Sequence, residues 1–146
     1  MTTDIKSGLN LSNAKREPQI AIMKKIIADG VCPFCRENIE KYHTKPILFE
    51  TKSWIVTENA WPYENTQKHI LLISQRHVRT ADELNNDEWI EVKEIQKKIR
   101  TEFGLKSATI LGRLGDPSFS GATVEHLHLH IISAKDSAIP VMARIG

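Results

Sequence analysis

The sequence predicts an α+β domain with a mostly antiparallel sheet of about five strands, one long helix and an N-terminal helix. Short apolar runs of strand length lie close together, on either side of one long segment with helical periodicity. This arrangement favours neighbouring antiparallel strands with helices packed on the sheet.

The N-terminal helix is predicted over residues 18–30, because its apolar residues recur at helical spacing and Gly30 can end it. Residues 1–17 are polar, and we expect this N-terminal segment to be mobile. Residues 18–146 are predicted to form a single domain. The apolar residues of the helix are Ile20, Met23, Ile26 and Ile27.

The long helix is predicted over residues 85–103. Asn85 is followed three residues later by Glu88, which is the pattern of a capping box, and Gly104 ends the helix. Its apolar face consists of Val92, Ile95, Ile99 and Phe103.

Strands are predicted where apolar runs are bounded by turn residues. The run from His69 to Ser74 is almost continuously apolar and is predicted to be central in the sheet. Polar loops are expected over residues 59–67 and 114–123. The predicted strands cover residues 47–50, 54–57, 69–74, 107–113 and 125–133.

Length and charge exclude little. The 146 residues fit one domain, and a net charge of +2 is too weak to argue for a nucleic-acid or membrane partner. The first 19 residues lack the apolar stretch of a signal peptide, and the longest apolar runs are only strand-sized. We therefore expect a cytoplasmic protein.

A strand with three histidines is the strongest motif. Because side chains alternate across a strand, His126, His128 and His130 should share one face, with Leu127 and Leu129 on the other. The histidines could form a solvated face or a metal tripod, although alternate strand positions are far apart for one tetrahedral ion. They could also act chemically, because a neutral imidazole is a good nucleophile toward phosphorus.

The loop before this strand supports phosphate chemistry. Ser120, Gly121, Ala122 and Thr123 are small, so backbone N–H groups can approach an anion, and two hydroxyls add donors.

Four segments resemble the histidine triad (HIT) superfamily. The run from His126 to Ile132 is similar to its signature of histidines alternating with apolar residues, and the other three segments follow in the family's order and spacing. They are Cys32–Cys35, His69–His77 and Gly121–Val124. The resemblance covers about residues 31–133 and implies a HIT-like fold.

The resemblance implies catalysis at the α-phosphate of a nucleotide derivative, such as a nucleoside phosphoramidate or a dinucleoside polyphosphate. His128 would attack phosphorus and form a covalent nucleotidyl-histidine intermediate, while His130 would contact the phosphate and assist proton transfer. His69 would orient the histidine cluster, to which His126 also belongs. Ser120, Gly121 and Thr123 would bind the phosphate.

Other functions stay open. A nucleotidyltransferase or phosphorylase would share the fold, and a nucleotide-binding or interaction protein would show little catalysis. Family relatives also imply a homodimer.

Three positions depart from the family pattern. Arg113 stands where many members have Asn, and could pair with phosphate. Asn59 stands where many have an acidic ribose-binding residue, and Ala122 replaces a common Gln. Trp61 could pack in the core or stack on a base.

The pair Cys32 and Cys35 could be a reduced structural pair, a redox pair, a packed loop or half of a zinc site. A redox pair is disfavoured because no strand–CxxC–helix unit surrounds it. Some branches of the superfamily bind structural zinc through CxxC and two histidines, and this implies His77 and His126 as the remaining ligands. His43 is a competing ligand, although a surface position is favoured for it.

Overall fold

Five strands form one antiparallel sheet in the order β1-β2-β3-β5-β4 in the computed structural model, which describes residues 3–146. The predicted α+β class and sheet are confirmed. Met1 and Thr2 of the predicted N-terminal segment lie outside the described residues. The strands are β1 Ile47–Glu50, β2 Trp54–Glu58, β3 Thr66–Ser74, β4 Thr109–Gly112 and β5 His128–Ala134.

In the part of the chain that the structure describes, four α-helices accompany the sheet, and the two longest are the predicted ones. Gly30 caps the first helix with a φ of 66°, and Asn85 and Glu88 form the predicted capping box of the third. The two short helices were not predicted, because four to seven residues give no helical periodicity to read. The helices are α1 Glu17–Asp29, α2 Arg36–Tyr42, α3 Asn86–Glu102 and α4 Pro117–Ser120.

At the central strands, β3 and β5, the two faces of the sheet carry different side chains. Leu127, Leu129 and Ile131 pack into the main apolar core with the buried face of α3. Leu71 and Ile73 belong to a second buried cluster on the opposite face, beside α2. The predicted alternation of apolar and histidine positions therefore places the histidines away from α3.

The triad strand begins later than predicted, at His128 instead of residue 125. Hydrogen bonding with β3 ends at Leu127, because its N–H bonds to a residue beyond the end of β3. The Leu127 N–H donates to the Val78 carbonyl, at 2.8 Å, and the Leu127 carbonyl accepts from Ser74 N–H, at 3.1 Å. His126 is thereby held beside the turn after β3.

The predicted mobility of the N-terminal segment is wrong for its central part. Leu9 is only 1% exposed, and Asn10 donates its N–H to the Thr123 carbonyl at 3.0 Å. The Asn13 amide donates to the Ala122 carbonyl at 2.6 Å. The polar composition suggested a segment without packing partners, but these polar groups form hydrogen bonds with a loop that is distant in sequence. The domain boundary at residue 17 stays a prediction.

Within residues 3–146, no helix combines the length and the apolar character needed to cross a bilayer.

Replacing Leu127 with Ala should lower the free energy of unfolding by about 2–5 kcal/mol, because the leucine is fully buried against α3. Leu114→Ala is the matched control, since Leu114 is 52% exposed and its truncation should change stability by about 0.5 kcal/mol or less. Urea unfolding followed by far-UV circular dichroism measures both. Equal losses in the two variants would contradict the burial of Leu127 in the core against α3.

Candidate active site and metal centre

A cavity of about 330 Å³ opens on the face of the sheet opposite α3. Its walls come from α1, the Cys32–Cys35 turn, the loop after β2, the loop before β5, and β5 itself. Six of the predicted catalytic and substrate-binding residues line it. They are Asn59, Arg113, Gly121, Thr123, His128 and His130. His69 lies directly behind His130, while Ser120 and His126 lie outside the lining.

The predicted nucleophile, His128, has its tautomer fixed by the backbone. Its Nδ1 lies 2.8 Å from the His126 carbonyl oxygen, which can only accept, so Nδ1 carries the hydrogen. Burial lowers the pKa of His128 to about 4, with Arg113 adding to the effect, so the ring is neutral at pH 7. Nε2 therefore carries a free lone pair, which is the form of imidazole that attacks phosphorus.

His130 receives a hydrogen bond from His69 and presents a donor of its own. The Tyr63 N–H donates to His69 Nδ1 at 3.1 Å, so the single hydrogen of the neutral His69 ring lies on Nε2. That Nε2–H points at His130 Nδ1, 2.7 Å away. The hydrogen of the neutral His130 ring is consequently on Nε2, a buried atom without a partner among residues 3–146. An unpaired buried N–H beside a cavity is suited to a ligand oxygen.

Burial lowers the pKa of His69 to about 4 and the pKa of His130 well below its ordinary value, and in each case the His128 ring contributes further. The three rings are therefore neutral in the free protein, which is the condition for the donor chain described above.

Asn59 orders the loop after β2 through its side-chain oxygen. Its Oδ1 accepts from the Trp61 N–H at 2.8 Å, and its amide nitrogen lies 3.1 Å from His69 Nε2. The His69 hydrogen belongs to the shorter contact with His130. Because Asn59 Nδ2 and His69 Nε2 both carry hydrogens in this tautomer, no hydrogen bond joins them. The Asn59 amide can therefore donate to a ligand at the cavity wall, which fits its predicted contact with ribose.

Arg113 is anchored by neutral groups at the edge of the cavity. Its guanidinium donates to the Tyr63 hydroxyl at 2.8 Å and to the Ser120 carbonyl at 3.2 Å. Ser120 thus contributes through its backbone. Neutral acceptors leave the positive charge of Arg113 uncompensated, so it can attract an anion at the histidines.

The small-residue loop before β5 reaches the cavity through Gly121 and Thr123. Gly121 has a φ of 79°, a left-handed conformation that glycine accepts readily, and it ends α4. Within residues 3–146, the Thr123 hydroxyl has no hydrogen-bond partner. Both features fit the predicted contact with phosphate oxygens.

A second cluster joins the four predicted metal ligands. Cys32, Cys35, His77 and His126 each offer one ligand atom, and all four atoms lie within 4.8 Å of one another. His126 Nε2 lies 2.8 Å from the Ser74 carbonyl oxygen and must donate to it. The His126 Nδ1 lone pair therefore points into the cluster, an orientation typical of histidine ligands.

The spacing and chemistry of this donor set fit a tetrahedral ion. Zinc–sulfur bonds of about 2.3 Å and zinc–nitrogen bonds of about 2.0 Å place tetrahedral ligand atoms roughly 3.3–3.8 Å apart. The sulfur–nitrogen distances are 3.4 Å for Cys32–His126, 3.3 Å for Cys35–His77 and 3.8 Å for Cys35–His126. The two histidine Nδ1 atoms are 3.1 Å apart.

Without a cation the two thiols resist ionisation. Burial raises the pKa of Cys32, and burial together with the neighbouring Cys32 raises the pKa of Cys35 to about 12. A divalent ion would supply the positive charge that two thiolates need.

The histidines thus divide into two groups. His69, His128 and His130 surround the cavity, whereas His126 and His77 face the cysteines. The placement of His126 gives no support to its predicted catalytic role. His43 lies apart from the cysteines, with its Nε2 2.8 Å from the Thr57 hydroxyl.

The sequence prediction missed Tyr63 and three basic residues of the cavity wall. Tyr63 packs its ring against His69 with 4.5 Å between centroids, and its loop gives no pattern that signals this contact. Lys15, Arg16 and Arg144 line the cavity from segments near the two ends of the chain. A cluster of basic residues at positions 15 and 16 was the one available signal.

The protein has an α+β fold with a candidate nucleotide site. Three features define it, namely the order of the strands, the hydrogen-bonded histidines at the cavity and the small-residue loop before β5. A family profile for the HIT domain matches residues 41–137, more than half of the chain. The protein therefore belongs to the HIT domain family.

Solved structures show the same fold at low sequence identity. A HIT family hydrolase from Clostridium thermocellum is 22% identical with a TM-score of 0.57, over 71% of this chain and 91% of its own. A histidine triad nucleotide-binding protein from Candida albicans is 19% identical with a TM-score of 0.57, over 74% and 80%.

The diadenosine triphosphate hydrolase of Plasmodium falciparum is 24% identical with a TM-score of 0.52, over 62% of each chain. No curated protein matches the sequence.

The neutral histidines predict that stability falls as the pH drops from about 6.5 toward 4. Over this range the unfolded chain binds protons that folded His69 and His128, with pKa values of about 4, do not bind. At pH 5 the loss should be roughly 1–2 kcal/mol per histidine. Urea unfolding at pH 7.5 and pH 5 measures it, and His128→Gln should show a smaller loss. NMR signals of the His69 and His128 rings that titrate near pH 6.5 would contradict the lowered pKa values of these two histidines.

Proposed function

We propose that the protein is a hydrolase that cleaves nucleotide derivatives at the α-phosphate through a nucleotidyl intermediate on His128. The observation that carries this proposal is the pairing of complementary nitrogens at one cavity wall. His128 Nε2 offers a lone pair, and His130 Nε2 offers a hydrogen. One is suited to attack phosphorus and the other to stabilise the oxygens around it.

The reaction takes place in two displacements. His128 Nε2 forms a bond to the α-phosphorus, and the bond from phosphorus to the leaving group breaks. Water then attacks the same phosphorus, the bond to His128 breaks, and the water's hydroxyl stays on the nucleotide. The remaining proton goes to the departed group, so atoms and charge balance over the cycle.

The other residues bind and orient. Arg113 opposes the negative charge of the phosphate, and Gly121 and Thr123 contribute backbone and hydroxyl donors. His69 fixes the tautomer of His130 through their 2.7 Å hydrogen bond. The His130 Nε2–H can donate a hydrogen bond to the negatively charged phosphate oxygens and so assist proton transfer around the leaving group.

The apolar part of the cavity is suited to a nucleobase. Ile22 and Met23 of α1 line it together with Phe34 and Trp61. Trp61 offers a flat aromatic face on which a base can stack.

Structural likeness to a diadenosine triphosphate hydrolase and to a histidine triad nucleotide-binding protein supports the proposal through the shared fold. A nucleotidyltransferase would use the same intermediate and replace water by another acceptor. The homodimer and the cytoplasmic location stay predictions.

His128→Ala should abolish turnover, by a factor of about 10³ or more, because the attacking nitrogen is lost. The substrates to test are adenosine 5′-phosphoramidate and diadenosine triphosphate, with adenylate release measured by chromatography. The control is His128→Gly with and without added imidazole, since a free imidazole can occupy the vacated space and restore part of the rate. Circular dichroism checks that both variants fold.

Rapid alkaline quenching followed by mass spectrometry should find the nucleotidyl group on His128 of the wild-type protein. Full activity of His128→Ala would refute the nucleophile. Tight nucleotide binding with neither turnover nor adduct would favour a binding protein. Faster turnover with inorganic phosphate or a sugar phosphate as acceptor would favour a transferase.

We also propose that Cys32, Cys35, His77 and His126 bind one structural zinc ion. Two observations support this proposal: the four ligand atoms lie close together, and the His126 Nδ1 lone pair points toward the other three. When bound, the ion would neutralise two thiolates and connect the N-terminal turn to the start of β5. No catalytic step needs it.

Protein purified without chelator should contain about one equivalent of zinc by elemental analysis, and Cys32→Ser and Cys35→Ser should each lose it. His43→Ala should retain the metal, because His43 bonds to Thr57 instead. Metal-free wild-type protein with two titratable thiols would reject the zinc site. Loss of zinc in His43→Ala would reject this choice of ligands.

A further inference from the structure

We infer that the cavity contains a second anion subsite, built by segments outside the family-matched region, that binds a second phosphate group of the substrate. Lys15 and Arg16 precede α1 and Arg144 lies in the C-terminal tail, whereas the HIT profile covers only residues 41–137. This inference rests on the proposed function and narrows its substrate class.

The charge of the cavity wall is one-sided. Four cationic side chains line it, and none of its lining residues among positions 3–146 is Asp or Glu. The whole chain, by contrast, carries 20 basic and 18 acidic residues. The charged side chains that line the cavity are therefore all basic although the protein is almost neutral, and such a cavity attracts polyanions. The four residues are Lys15, Arg16, Arg113 and Arg144.

Arg16 and Arg113 are held by neutral groups. Arg16 donates to the Pro62 carbonyl at 2.7 Å, and Arg113 donates to the Tyr63 hydroxyl at 2.8 Å. Arg144 contacts Asn13 Oδ1 at 3.4 Å and an oxygen of the last residue, Gly146, at 3.0 Å. Elsewhere, Arg36 and Arg76 pair with glutamates. Neutral acceptors orient a guanidinium without cancelling its charge, so a phosphate can still form charge-assisted hydrogen bonds with it.

Contacts place the two segments that carry these side chains next to the phosphate loop. Asn13, two residues before Lys15, donates to the Ala122 carbonyl at 2.6 Å. The tail passes so close to Gly121 that a Cβ there would lie 3.3 Å from Gly146 N and 3.4 Å from the Arg144 carbonyl. Both flanking segments therefore contact the loop that would hold the α-phosphate.

One arginine, Arg113, already serves the α-phosphate beside the histidines. The additional cations on the flanking segments suit a neighbouring phosphate, whose charge would otherwise be unpaired. The substrate class is therefore a nucleotide whose leaving group begins with a phosphate. A leaving amine brings no negative charge and would leave this subsite unused.

Calorimetric titration tests the subsite with non-hydrolysable probes. The best-bound of adenosine, guanosine and uridine 5′-monophosphate is compared with its α,β-methylene diphosphate, at fixed ionic strength. Wild-type protein should prefer the diphosphate by about tenfold or more. Arg16→Gln and Arg144→Gln should each reduce that preference at least threefold, because each removes one charge-assisted contact. Arg100→Gln, an exposed arginine of α3 outside the cavity, should keep the wild-type preference.

The preference for diphosphate over monophosphate tests the anion subsite, whereas nucleotide binding and turnover as such test the proposed function. Equal affinity of wild-type protein for monophosphate and diphosphate would overturn the subsite while leaving the proposed function intact. The same holds if neither arginine variant changes the preference. Absence of binding to all three monophosphates, together with no turnover, would overturn the proposed function and the subsite with it.

Discussion

The pairing of β3 with β5 is the constraint on which the candidate active site depends. His128 lies opposite Ile73, and His130 lies opposite Leu71, two positions from His69. All three histidines therefore share one face, and the diagonal neighbours His69 and His130 come within hydrogen-bond distance. A shift of one residue in this register would exchange the histidines with the leucines that pack against α3, so the apolar core itself specifies the arrangement of the histidines.

Main-chain groups then decide what each imidazole can do. The His126 carbonyl fixes the hydrogen of His128, the Tyr63 N–H fixes that of His69, and the Ser74 carbonyl fixes that of His126. Because a carbonyl can only accept and an N–H can only donate, each of these three rings is held in one tautomer. His126 and His128, successive histidines of the motif, consequently present their lone pairs to different sites. One presents a lone pair to the cysteine cluster, and the other presents a lone pair to the cavity.

Most of the fold was accessible from sequence because its periodic patterns are strong. Alternation in the triad strand and the capping pair Asn85 and Glu88 each report local geometry, and both are confirmed. The unpredicted parts depend on contacts between distant residues. Tyr63 reaches Arg113 across 50 positions and Arg16 reaches Pro62 across 46, so no local pattern announces either. The packed N-terminal segment was missed for the same reason, since its polar side chains satisfy backbone groups of a loop more than 100 residues away.

The absence of acidic side chains among the described residues that line the cavity also bears on how ligands arrive. A positive field reaches outward for about one Debye length, roughly 8 Å at physiological ionic strength. Incoming polyanions are guided toward the opening before any contact forms, and a neutral nucleoside receives no such guidance. With the proposed anion subsite, selection among ligands would lie partly in the rate of encounter, and added salt would weaken this selection even where every bound contact is preserved.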